Sequence, residues 1–247
     1  MNLTCSSNPV GAVCSRPKMK ISCILIDVDG TMTKIRPDGR LPVNADIRLA
    51  ELLAEKRHIS ADQALDSIHR LKDRDQHCIF TLAQKLDISE KRLWNVLQKD
   101  WIDYIYVPED VIFFLKEMKR YKIPVYSATT NPPRMTLLKM SIGGLAGFDG
   151  TSFLAGFYSG NYFHDSRGKF APDFFQKILA DGRFDPEETV MIGDEYDHDC
   201  GPALDAGIRW TVLINRDSPK SFELAGGGLI RTNSLKYIPT CMVKEGI

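Results

Sequence analysis

Two aspartates one residue apart, Asp27 and Asp29 in ILIDVDGTMT, close an apolar run. Side chains two positions apart in an extended chain face the same way, so both carboxylates can lean over one point while Val28 turns inward. Close carboxylates repel, and burying them unpaired is costly. A hard divalent cation answers both problems, and Mg²⁺ typically takes one or two carboxylates together with waters and phosphate oxygens. Gly30 allows the sharp turn that follows. The competing reading is an ordinary turn at a strand end, since aspartate is a common turn former.

Other residues extend the pattern. GDEYDHDCGPALDAG (193–207) carries Asp194, Glu195, Asp197 and Asp199. Such a run is usually a solvated face, but this one follows an apolar run directly, and Asp194 is placed to complete a metal site. His198 and Cys200 invite a zinc reading, yet a tetrahedral site normally draws on a second spaced ligand pair, so His198 is read as a surface loop residue. Thr130 and Asn131 end another apolar run and open a helix, where a hydroxyl and free backbone N–H groups make an anion site. Simple N-capping by Asn131 needs the same residues. Lys169, in GKFAPDFF, is the best-placed cation for a phosphate dianion in so acidic a site.

These residues need elements to hold them. MKISCILID (19–27), IPVYSATT (123–130), TVMIGDE (189–195) and RWTVLINR (209–216) read as buried strands, with GLIRT (228–232) a weaker fifth. Between them PEDVIFFLKEMKRYK (108–122), NPPRMTLLKM (131–140), APDFFQKILADG (171–182) and CGPALDAGI (200–208) read as helices. The alternation predicts an α/β fold, a Rossmann-like parallel sheet with helices on both faces. Sites in such sheets form beyond the carboxyl ends of the strands, where the acids, Thr130 and Asn131 fall. Residues 35–106 break the alternation. NADIRLAELLAEKRH (44–58), SADQALDSIHRLKDRD (60–75), HCIFTLAQKLD (77–87) and SEKRLWNVLQKDWIDY (89–104) predict a helical domain inserted after the first strand. Ser60 with Gln63 is a capping-box pattern, and Ser89 is a further cap. The predicted layout is a disordered leader over 1–18, a core of 19–34 with 107–247, and a helical domain over 35–106. Trp94, Trp101, Tyr104 and Tyr106 are read as helical-domain core and hinge packing rather than base-stacking surfaces.

The 247 residues carry 32 basic and 32 acidic side chains, which gives no sign of a nucleic-acid groove or an anionic membrane surface. No apolar stretch reaches the roughly 18 residues of a membrane-helix candidate. Six scattered cysteines without a CxxC pair, in a chain without a secretory signal, read as reduced thiols in a cytoplasmic protein.

Taken in order, DVDGT (27–31), TTN (129–131), Lys169 in KFAPDFF and GDEYDHD (193–199) resemble the four motifs of the haloacid dehalogenase superfamily, in its phosphatase branch. Phe170 stands where that family more often has proline. The resemblance implies a Mg²⁺-dependent phosphatase for a small phosphorylated metabolite, with an inserted helical cap. It implies Asp27 as the nucleophile that forms an aspartyl-phosphate, and Asp29 as the acid and base. It implies Mg²⁺ held by Asp27, the Asp29 carbonyl and Asp194, with Thr31 and Asp199 in support. Thr130, Asn131 and Lys169 would hold the phosphoryl oxygens. Asp29 matters within the family, because a halide leaves unprotonated and needs no second acid. Lys56, Arg57 and His58 lie in a stretch that reaches the active site in related capped enzymes, which makes them candidates for substrate specificity. A sugar phosphomutase with the same residues and a silent phosphate-binding module are the alternatives, and the expected state is monomer or homodimer.

Overall fold

The computed structural model describes residues 19–38, 42–75, 78–165 and 167–243, so the predicted leader lies outside the described residues. The opening apolar run is two strands rather than one. Met19–Lys20 (β1) and Cys23–Ile26 (β2) are separated at Ser22, where the N–H groups of Ser22 and Cys23 both donate to the Glu188 carbonyl. Lys34–Ile35 (β3) and Ile105–Tyr106 (β4) then pair antiparallel, Ile35 opposite Ile105. Helices Ala45–Arg57 (α1), Ala61–Asp75 (α2), Ile79–Lys85 (α3) and Glu90–Trp101 (α4) lie between them in the chain. Their starts follow the sequence: Ser60 and Gln63 cap each other's backbone N–H, and the Ser89 hydroxyl accepts from Arg92 N at 3.3 Å.

The rest of the chain alternates as Glu109–Tyr121 (α5), Val125–Thr129 (β5), Pro133–Ser141 (α6), Gly156–Ser159 (β6), Phe174–Gly182 (α7), Thr189–Gly193 (β7), Gly201–Asp205 (α8) and Trp210–Ile214 (β8). Phe222–Gly226 (β9), Leu229–Thr232 (β10) and Met242–Val243 (β11) follow, and β11 pairs in parallel with β1. The main sheet runs β6-β5-β2-β7-β8-β10-β9, parallel throughout except for β9. Neither β6 nor β9 is expected from the sequence. Both are edge strands that lack the buried apolar pattern of the central ones.

Strand β2 shows why both faces must be covered. Ile24 and Ile26 pack with α5 residues Val111, Phe114 and Met118 on one side. Cys23 and Leu25 pack with Phe174, Phe175 and Ile178 of α7 and Ala203 of α8 on the other. A third cluster fills the helical unit, and it recruits Leu137 and Leu138 from α6. The described cysteines, Cys23, Cys78, Cys200 and Cys241, carry free thiols. No helix among the described residues is long and apolar enough to cross a membrane.

Candidate active site

Register sets the site. Ile26 of β2 pairs with Ser127 of β5 and Ile192 of β7, so the three strands end nearly level. Asp27 follows β2 directly, and its N–H donates to the Ile192 carbonyl at 2.9 Å. The next residue, Val28, is fully buried, and its carbonyl accepts from Met32 N and Thr33 N. This compact turn presents Asp27 and Asp29 on the outer side, as their spacing requires. Gly30 adopts φ +79°, and a Cβ there would lie 1.9 Å from the Asp194 carboxylate. Glycine therefore permits both the turn and the approach of the third acid. Thr31 donates its hydroxyl proton to Asp194 Oδ1 at 2.9 Å.

Asp194 follows β7, and a wide π-type turn over Tyr196–Cys200 brings Asp199 back beside it. Glu195 N donates to Asp199 Oδ2 at 3.0 Å. Asp27, Asp194 and Asp199 each offer an oxygen within 4.8 Å of the others. Asp199, expected in support, offers an oxygen to this group while its Oδ2 accepts from Glu195 N. Lys169, buried in the short helical turn Gly168–Phe170, reaches Asp27 Oδ1 at 2.6 Å and Asp199 Oδ1 at 2.5 Å.

One ammonium does not balance three carboxylates. Burial, reinforced by Asp199 and Asp194 against the pull of Lys169, pushes Asp27 up to about 7. Burial and Asp199 also raise Asp194, against its bond from Thr31. For Lys169, burial acts downward, but Asp27 and Asp199 outweigh it and hold the ammonium above its usual range. Three hard oxygen donors with excess negative charge fit a cation such as Mg²⁺.

Asp29 has a different environment. Lys139 Nζ donates to both its oxygens, at 2.6 and 2.7 Å, and Asn131 Nδ2 donates to Oδ2 at 2.9 Å. Lys139 also donates to Asn131 Oδ1 at 2.8 Å. Burial is the largest single influence on Asp29 and acts upward. The Lys139 charge and the bonds from Asn131, Lys139 and Thr33 together overcome it, leaving the carboxyl below its usual range. Asn131 is therefore not the helix cap expected of it: Pro132 occupies the N-cap of α6, and the amide serves Asp29. Thr129, at the end of β5, accepts from Asn131 N and Nδ2.

A cavity of about 130 Å³ is lined by Asp27, Asp29, Thr130, Lys169, Asp194 and Asp199, with Phe170 and His198 at its rim. A larger one, of about 450 Å³, is bounded by Asp29, Lys139, Lys34, Ile35, Trp101, Tyr104 and Ile105. Asp29 is the one residue common to both linings. Trp101 and Tyr104, read as packing residues, line this larger space. His198 lies in the exposed turn, with Nδ1 2.5 Å from Glu195 Oε2.

Lys56, Arg57 and His58 line neither cavity. Lys56 pairs with Asp87 inside the helical unit, and His58 is the left-handed stop of α1 at φ 55°. A basic helix end needs no substrate to explain it. Lys139 was missed in the sequence. Its signal is a charge set inside the apolar stretch LLKM, on a helix whose neighbouring side chains are buried.

The profile of a hydrolase family described as haloacid dehalogenase-like hydrolase matches residues 21–207. Among solved structures, a HAD phosphatase from Thermococcus onnurineus is 21% identical, with 89% of this chain and 97% of that chain covered and a TM-score of 0.52. A 2-haloacid dehalogenase from Pseudomonas syringae pv. Tomato DC3000 is 19% identical, with 90% and 97% covered and a TM-score of 0.54. A protein from Thermotoga maritima, provisionally assigned as a beta-phosphoglucomutase, is 19% identical, with 89% and 97% covered and a TM-score of 0.53. At these identities the likeness is one of fold. No curated protein sequence gives a significant match.

Proposed function

Because the chain belongs to the haloacid dehalogenase-like hydrolases, we propose that it is a Mg²⁺-dependent phosphatase for a small phosphomonoester, with the helical unit as its cap. The observation that carries this reading is Asp29. It stands between the small acid-lined cavity and the larger one, where a proton donor to a leaving oxygen belongs. A dehalogenase has no use for that proton, since halide leaves as an anion.

Asp27 attacks the phosphorus, and the ester oxygen departs with a proton from Asp29. Lys169 fixes the Asp27 carboxylate, and Thr130 with Lys169 holds the phosphoryl oxygens. Water then gives its proton to Asp29 and attacks the aspartyl-phosphate, which releases phosphate and restores Asp27. Mg²⁺, held by Asp27 and Asp194 with Asp199 behind them, would supply charge stabilisation for the phosphoryl group.

The test is phosphate release from a panel of phosphomonoesters with Mg²⁺ and with a chelator. Turnover is expected only with the metal, and Asp27→Asn should lower it at least about a thousand-fold while the circular dichroism spectrum is kept. Undiminished turnover by that variant overturns the mechanism. A hexose 1-phosphate separates the mutase alternative, which would return the 6-phosphate in place of free phosphate.

A further inference from the structure

The cavity of about 450 Å³ beyond Asp29 has a chemical character of its own. Ile35 and Ile105 oppose each other across the two-residue ladder of β3 and β4. Trp101 ends α4, and Tyr104 follows three residues later. Lys139 ties this wall to the acid: its Nζ lies 2.6 Å from Asp29 Oδ1 and 5.6 Å from the centre of a Trp101 ring. The aromatic surface therefore begins one side chain away from the group that faces the leaving oxygen. Ile35, 60% exposed, is an apolar side chain at the edge of this space.

Among the polar groups of this lining, Lys139, Thr33 and Lys34 have partners, whereas the buried Trp101 Nε1 has none among the described residues. Lys139 already meets three acceptor oxygens. The Thr33 hydroxyl contacts the Val28 carbonyl and Asp29. Lys34 Nζ stands 3.6 Å from Asp217, a loose surface pair. A polyhydroxylated leaving group would press several hydroxyls against Ile35, Ile105 and Trp101 with few partners, and buried polar groups without partners are costly. A flat ring has no such need and matches indole and phenol faces.

Resting on the phosphatase reading, we propose that this cavity receives an aromatic leaving group, so that the substrates are aryl or arylmethyl phosphomonoesters. Hydrolysis is balanced as for any monoester. The P–O bond to the ring-bearing oxygen breaks, Asp29 protonates that oxygen, and water supplies the oxygen and the proton that restore phosphate and Asp29.

Benzyl phosphate and glucose 6-phosphate are both esters of primary alcohols, so a difference between them reports the cavity rather than leaving-group reactivity. Methyl phosphate is too small to reach the aromatic wall. Calorimetric binding to the Asp27→Asn protein with Mg²⁺ should give a Kd for benzyl phosphate at least about ten-fold lower than for either of the others. Trp101→Ala should erase most of that advantage, and Trp101→Phe should keep part of it. The exposed substitution Ile35→Glu, which leaves the packed interior alone, should weaken benzyl phosphate selectively. Equal affinities, tightest binding of glucose 6-phosphate or of 2-phosphoglycolate, or no binding of any ester would overturn the proposal. Turnover by the unsubstituted enzyme separates the two readings. Benzyl phosphate bound tightly but never hydrolysed sinks the phosphatase reading and leaves the ring preference standing, whereas hydrolysis of all esters without preference does the reverse.

Discussion

Asp29 is held by Lys139 and Asn131 in a state that favours its charged form, while protonation of a leaving oxygen requires the neutral acid. An arriving phosphate dianion beside it acts in the opposite direction and favours the proton, because like charges raise a carboxyl pKa. Asp29→Asn is expected to lower kcat/KM on alkyl phosphates by about a hundred- to ten-thousand-fold, the usual scale of general acid catalysis. The loss on 4-nitrophenyl phosphate, whose leaving group needs no proton, should be far smaller. Equal losses on both esters would remove the acid role. At this scale the sequence is legible where the chemistry is local. Asp27 and Asp29 share a side because of their spacing, and the acid run after β7 declares itself. Lys139 does not, because it meets Asp29 from 110 positions away and only the packing of α6 aims it.

The turn after β2 is the element on which the site depends, and two features hold it. Gly30→Ala would strain the positive φ and drive Asp194 away. A loss of Mg²⁺ affinity by calorimetry, larger than any loss of fold by circular dichroism, is expected. The second feature is Arg216, just past β8. It donates to the Gly30 and Thr31 carbonyls at 3.1 and 2.9 Å and pairs with the buried Asp110 of α5, whose Oδ2 also accepts from Leu235 N. Arg216→Met leaves Asp110 without its cation and should cost about 3–5 kcal/mol in denaturant unfolding, with part recovered in the pair Arg216→Met/Asp110→Asn. If the double variant is no better than the single, the ion pair is not the cause. The central strands were readable as apolar runs because both their faces are buried. The edge strands β6 and β9 were not, since one neighbour and partial exposure leave no such pattern. Asn131 reads as a cap because an N-cap and a hydrogen-bond partner for Asp29 ask for the same residue type in the same place.

Across the whole molecule, a cation held by the carboxyl cluster would couple metal to stability. A cation that binds only the folded chain stabilises it by about 2.7 kcal/mol at a hundred-fold excess over its Kd. For a chain of this size that corresponds to a rise in Tm of roughly 5–10 °C. Calorimetric melting with and without Mg²⁺ should show the rise, and Asp194→Asn should abolish it. An identical shift in that variant would place the ion elsewhere. A second consequence lies in the ladder of β3 and β4. The helical unit leaves and rejoins the rest of the chain at this small separate ladder, where Arg36 N donates to the Tyr104 carbonyl at 2.7 Å. In genetic terms, codons 36–104 are a cassette. Exchange of this segment for another helical sequence is expected to keep the strand order, provided that the newcomer covers Leu137 and Leu138 and replaces the contacts of Glu90 and Gln98 with Arg134 and Ser141. Trp101 and Tyr104 travel with that cassette while Asp27, Asp29 and Asp194 stay behind. On the proposed reading, part of the leaving-group wall is thus inherited apart from the acids, while Ile35, Ile105 and Lys139 of the same cavity stay with them.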